Sequence, residues 1–207
     1  VRIRRGYFFH WDRLLLKDFL VLSIPVVLNE TLWGAGMSAN AAILGQLGSP
    51  AAAANSVVRV IRELVMVMSI GLSAATSVLV GKAIGEKKLD MAKTYARRMV
   101  LLSIVMTSCA SAAMFSLRHV ITDALTLGLT AKEYLLFMLA VLAVYNLCQS
   151  VTCPVIVGVL RAGGDTRFGL ILEGSALWVG SILMGWIGAF ILHLPVRTVF
   201  ALLMLDE

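Results

Sequence analysis

Five stretches of this chain run for eighteen residues or more with at most one charge each. Phe19 to Val58 is broken only by Glu30, and Phe168 to Leu192 only by Glu173. Leu64 to Gly81, Met99 to Leu117 and Tyr134 to Leu160 carry no charge at all. About 18–20 apolar residues suffice for a helix to cross a bilayer. The whole chain is 59% hydrophobic and 14% charged, where soluble domains average about 45–50% and about 25%. A water-soluble core of 207 residues could not hide that much apolar surface. The sequence therefore predicts an all-α integral membrane protein. Its spans are expected near 19–42, 60–81, 96–117, 134–160 and 168–192, with a partial sixth over 197–207. The first outer loop is expected at "GQLGSPAAAAN". Because the chain opens on Val and closes inside a helical pattern, it reads as part of a longer protein.

The net charge of +6 is segregated rather than spread. Thirteen of 18 Lys and Arg fall in residues 1–17, in 82–98, and at Arg161 and Arg167. Such asymmetry marks cytoplasmic loops, which places the N-terminus of this stretch in the cytoplasm. It also makes anionic lipid, not nucleic acid, the partner of the charges. Tyr7, Phe8, Phe9 and Trp11 beside the first arginines suit the head-group belt, and no small-residue cleavage site follows them. Within 82–98, Leu89, Ala92, Ala96 and Met99 recur at helical spacing, predicting a short amphipathic helix on the membrane surface before the third span.

Polar residues inside the spans narrow the function. In the first, Pro25 invites a kink, and Asn29 and Glu30 then occupy mid-span with no cation nearby in sequence. An ionised carboxylate at that depth costs at least about 2.5–3.5 kcal/mol, so Glu30 must be protonated, hold a cation or face water. Tyr145, Asn146, Gln149, Ser150 and Thr152 make the fourth span the most polar. Tyr145 with Gln149, and Asn146 with Ser150, share faces, as helix-to-helix glue or as a cavity wall. Arg59 and Glu63 are spaced to pair with each other. Glu173 lies near enough to the interface for solvation or for pairing with Arg167. Asp165 or Thr166 is placed to cap the fifth helix after a glycine turn. Cys109, Cys148 and Cys153 show no metal-ligand spacing and read as apolar filler.

Four stretches, "IPVVLNETLWGAG", "SIGLSAATSVLVGKAIGEKKLDMAKTYAR", "GVLRAGGDTRF" and "GAFILHLPV", together resemble the multidrug and toxic compound extrusion (MATE) family. The resemblance implies one six-helix lobe, the second, of a twelve-span transporter whose two lobes are related by a pseudo-twofold axis. A missing N-terminal lobe would be its partner. It implies a plasma-membrane antiporter, not an enzyme, that exports amphipathic or cationic organic compounds on a Na⁺ or H⁺ gradient, with no further cofactor. Glu30 matches the acidic cation ligand of the family's seventh span, the only position at which a metal ion (Na⁺) is expected. Asn29, Trp33, Tyr145, Asn146, Gln149 and Ser150 are the candidate cavity residues, aromatic faces being suited to organic cations. Where several members carry an Asp on the tenth span, this chain has Ser150, so a second carboxylate is expected to be missing. The rivals are a lipid-linked precursor flippase, with a more cationic cavity; an intramembrane enzyme, for which His10, His119 and His193 fall at interfaces or loops; and a structural subunit, which leaves Glu30 unexplained.

Overall fold

The structure is a computed structural model that describes residues 13–206, so Tyr7, Phe8, Phe9, Trp11 and His10 lie outside the described residues. Five long helices carry the fold: α1 (Arg13–Gln46), α2 (Ser49–Gly85), α3 (Leu89–Ala124), α4 (Leu129–Gly163) and α5 (Thr166–Ile191). A short α6 (Val196–Leu202) follows. Each of the five is long and apolar enough to cross a membrane.

The connections are shorter than the sequence suggests. The predicted outer loop shrinks to Leu47 and Gly48, because α2 already begins at Ser49 with Pro50 in its first turn. Proline is favoured there since the first N–H groups of a helix have no intrahelical partner anyway. No separate surface helix precedes the third span either. Residues 89–98 are the first turns of α3 itself, with Ala92 buried against Val80 and Ala83 of α2. The amphipathic pattern is real, but its Ala92 and Ala96 pack against the neighbouring α2 while Leu89 stays exposed. The partial sixth span is helical only to Leu202.

Between α4 and α5, Gly164 adopts φ +84°, a conformation that costs glycine little. Asp165 then caps α5 by accepting from the Phe168 N–H at 3.3 Å. This turn, the start of α1 and the α2–α3 turn share one end of the bundle. Leu22 touches the Gly164 position, and Gly81 lies against Ala162. The basic residues of 82–98 and 161–167 therefore gather at one end.

Helix α4 is the axis of the core. Its Leu135, Met138, Leu139 and Leu142 are almost fully buried against Leu44, Val58, Met114, the Val199 and Phe200 of α6, and Leu203 just after it. Between α2, α3 and α4 the contacts are small and polar. Ser69 Oγ and Thr107 Oγ1 lie 3.2 Å apart, and Ser73 Oγ donates to Ser69 O at 2.7 Å and to Cys153 Sγ at 3.3 Å. Membrane helices associate through such small residues because lipid offers no hydrophobic drive between them. Gly158 of α4 is part of this seam, with the Thr76 side chain and the Ser73 carbonyl directly over it.

Candidate functional site

Glu30 has a partner, and it comes from the far end of α4. Arg161 Nη2 donates to Glu30 Oε1 at 2.8 Å. Two features of the fold bring them together. First, the α4–α5 turn packs at Leu22, eight residues before Glu30 and thus about 12 Å below it along α1. A gap of that size is within the joint reach of an arginine and a glutamate. Second, α4 changes winding. Pro154 has no N–H to donate, and from there to Leu160 the helix runs with i→i+5 bonding, ending with Arg161 N–H on Ile156 O. Such a helix turns about 82° per residue rather than about 100°. Ordinary winding would rotate the row Gln149, Cys153, Val157, Arg161 by about 120°; the wider turns nearly cancel that drift. All four line one cavity.

This cavity, of about 250 Å³, also meets Asn29, Glu30, Trp33, Thr152 and Glu173. Asn29 is buried and donates through Nδ2 to Glu173 Oε2. Glu173 therefore does not pair with Arg167. The two are six apart on α5, on different helix faces, whereas Glu173 stands seven residues above the α4–α5 turn, level with Asn29. Beside it, a smaller cavity of about 40 Å³ lies between Asn29, Trp33, Thr152, Glu173 and Asp206. Position 150 carries no carboxylate, as expected, but two others line these cavities: Glu173 from α5 beside Glu30, and Asp206 beyond α6 in the smaller cavity. Neither stands in the motif position that a sequence comparison would consult. Glu30 itself is not sealed in: its side chain is 57% exposed and that of Arg161 22%.

Further along α1, from about one turn beyond Glu30, is a third cavity, of about 150 Å³, bounded by Trp33, Met37, Asn40, Arg62, Met66 and Met204 among others. Arg62 is 94% buried, with 6% relative exposure. Its guanidinium lies over the Tyr145 ring, Cζ to centroid 4.5 Å, donates through Nη2 to Tyr145 Oη, and meets Met37 Sδ from Nη1 at 3.4 Å. Tyr145 in turn donates to Asp206 Oδ2 at 3.4 Å. Arg59 and Glu63 form their own exposed pair at 3.1 Å.

The candidate residues thus divide. Asn29, Glu30, Trp33 and Gln149 meet at the cavities, Trp33 on all three walls. Tyr145 joins through Arg62. Asn146 and Ser150 line none of these cavities; both are fully buried on the other face of α4, and Ser150 Oγ donates to Leu147 O at 2.6 Å. Sequence reasoning put Glu173 at the interface and Arg161 among the cytoplasmic charges, assigned no role to Arg62, and did not single out Asp206. The one signal for Arg62 was its place three residues after Arg59, one turn further along a mostly apolar helix.

The described residues form a bundle of membrane-length helices with opposed charges at its interior cavities. The chain belongs to the MatE family, whose model matches residues 25–187. Solved MATE structures share the fold. An outward-facing multidrug-resistance MATE transporter of the MOP superfamily aligns with TM-score 0.83 and 18% identity, over 92% of this chain and 42% of that one. A MATE transporter in complex with MaD5 aligns with TM-score 0.84 and 18% identity, over 92% and 43%. A MOP-superfamily transporter from Pyrococcus furiosus, for which a binding pocket of reverse polarity suggests a different function, gives 0.82, 18%, 92% and 42%. The chain spans less than half the length of these transporters. No curated protein matches it at a significant level.

Proposed function

We propose that this chain is the second lobe of a cation-coupled antiporter that exports amphipathic or cationic organic compounds by alternating access. Its N-terminus would lie on the cytoplasmic face of the plasma membrane, and a first lobe would complete the cavity. The observation that carries the reading is the Glu30–Arg161 pair on the wall of an acidic, partly open cavity. An unpaired carboxylate at this depth is costly, and Arg161 supplies a tethered counter-charge. A Na⁺ ion, a proton or an organic cation that reaches Glu30 must take the place of that guanidinium. Occupation by one cation then excludes another, which is the requirement for exchange. Asn29, Gln149 and Glu173 contribute the oxygens that a hard cation would need beside Glu30, and Trp33 contributes an aromatic face for an organic one.

A flippase for lipid-linked precursors is the second reading, favoured by Arg62 and Arg161 on the walls. Against it, Glu63 shares the wall of Arg59 and Arg62, and Glu30 and Glu173 share that of Arg161, so a phosphate at either place would meet carboxylates. The test is Glu30→Gln in the intact protein, reconstituted into vesicles. The amide keeps the size and removes the charge and the titration. Export driven by a Na⁺ or H⁺ gradient should be lost while the protein still folds, and Glu30→Asp should retain part of it. Wild-type gradient-driven export by the Gln variant would end the coupling role of Glu30.

A further inference from the structure

Four buried polar atoms stand unmatched in the seam between α2, α3 and α4. Asn146 is wholly buried, yet neither its Oδ1 nor its Nδ2 has a hydrogen-bond partner among the described residues, and the same holds for Ser103 Oγ and Ser111 Oγ. Buried polar groups are normally satisfied, and each exception needs a cause. Two contacts fix how the three helices stand against one another. Ser69 of α2 meets Thr107 of α3, and Ser73 of α2 meets Cys153 of α4. Asn146 lies about two turns before Cys153 and shares its face of α4. Its height is that of the residue three before Ser69 on α2, and so of the residue three after Thr107 on the antiparallel α3, within about 2 Å of Ser111. The two side chains are level but not bonded to each other. Ser103, four residues before Thr107, is level with Ser73 by the same count. The serines are also turned away from their own helix. Elsewhere in this chain helical hydroxyls donate back to the carbonyl four residues earlier, as Ser56, Thr76, Ser116 and Thr122 do. Ser103 and Ser111 make no such bond.

We infer that this seam is a site for ordered water, with one water bridging Asn146 to Ser111 and a second held by Ser103. Its chemistry excludes the other candidates. A cation is wrong in sign, because Asn146 presents N–H donors as well as an oxygen, and residues 64–81, 99–117 and 134–160 carry no charge to balance one. Lipid and a first lobe cannot reach the site, since Asn146 is fully buried within this lobe alone. Toward the α3–α4 connection the seam is closed by Met114 and Leu142 of the apolar core, and toward the α4–α5 turn by Gly158 under Thr76. Water is small enough to enter, and it both donates and accepts. Two polar groups that are level but unbonded are the arrangement that a bridging water joins. The inference is independent of the role of Glu30. It makes the fourth span two-sided: Gln149 lines the Glu30 cavity, while Asn146, on the hydrated side, ties α4 to α3.

The test uses the intact transporter in lipid nanodiscs. Radiolysis turns bound water into hydroxyl radicals, which oxidise the side chains beside it. Met114 is buried and about one turn from Ser111. It should be oxidised in the unsubstituted protein, and Asn146→Leu should abolish that oxidation while leaving that of exposed Met91 unchanged. Unoxidised Met114 in the unsubstituted protein would overturn the inference without any variant, and so would oxidation that persists in Asn146→Leu. Thermal melting gives a second readout. Ser111→Ala deletes one oxygen and adds no bulk. In a dry seam that removes an unsatisfied group and leaves the melting temperature unchanged or higher. With a bridging water the melting temperature falls, and falls less when Asn146 is already leucine, because the two residues share one water. A Ser111→Ala variant that melts at or above the unsubstituted protein, or one that loses as much in the Asn146→Leu background, would reject the bridge. A melting temperature that rises with Na⁺ and loses that response in Asn146→Leu would overturn the inference by assigning the site to a cation.

Discussion

Arg161→Met separates the role of the tethered counter-charge from that of the carboxylate it faces. The pair is short, 2.8 Å, but unequal in its surroundings, with 57% of Glu30 and 22% of Arg161 exposed. At about 4 Å between charge centres and an effective dielectric near 20, the attraction is about 4 kcal/mol. Solvent at the glutamate reduces this toward the range of exposed pairs, so about 1–2 kcal/mol is the reasonable working value. A cation arriving at Glu30 must overcome that amount. Removing the guanidinium should therefore raise cation affinity about 5- to 30-fold, and slow release by a similar factor. The assay is calorimetric titration of the intact, reconstituted protein with Na⁺ and with octyltrimethylammonium, at a pH where carboxylates are ionised. The double variant Arg161→Met with Glu30→Gln should bind no better than Glu30→Gln alone, because the gain requires the carboxylate. Unchanged or weaker cation binding in Arg161→Met would refute the reasoning, and would leave the pair as a clamp between α1 and α4.

Two further outcomes test the fold and its orientation. Gly158→Ala should lower thermal stability by about 1–3 kcal/mol, read by the melting of detergent-solubilised protein, since the added methyl would stand 2.8 Å and 2.9 Å from Thr76 side-chain atoms and 3.2 Å from the Ser73 carbonyl; an unchanged melting temperature would mean the α2–α4 seam is looser than described. A cysteine at Glu86, exposed in the α2–α3 turn, should react with impermeant thiol reagents from the cytoplasm only, and one at Ser49 from outside only, after Cys109 and Cys148, which are exposed, are replaced; the reverse pattern would invert the topology.

The spans were legible because a charge-free run of such length has few alternatives in a bilayer. Glu30 stood out for the same reason. The wider site did not, and each omission has a physical cause. Arg161 reads as a loop residue unless the i→i+5 winding after Pro154 is known, and periodicity arguments assume ordinary winding throughout. Glu173 reads as an interfacial residue until the packing of α1 against α5 puts Asn29 beside it. Asn146 and Ser150 look equivalent to Tyr145 and Gln149 in sequence, yet Gln149 lines a cavity and Tyr145 meets Arg62 at the edge of another, while Asn146 and Ser150 pack into the helix interface; spacing fixes which residues share a face, not where that face points. The supposed surface helix at 89–98 erred in a related way, since an apolar stripe serves lipid and a neighbouring helix equally well.

The position of the α4–α5 turn has an electrical consequence. With that turn at the basic boundary of the membrane, Glu30 lies about 12 Å inside a hydrocarbon layer of ~30 Å. Under the proposed coupling role of Glu30, a monovalent ion entering from the basic side would cross about 0.4 of the transmembrane potential to reach the carboxylate, and one from the opposite side about 0.6. At 100 mV those fractions correspond to about 0.9 and about 1.4 kcal/mol, so ion loading from the two faces would respond to voltage by different amounts at one and the same residue.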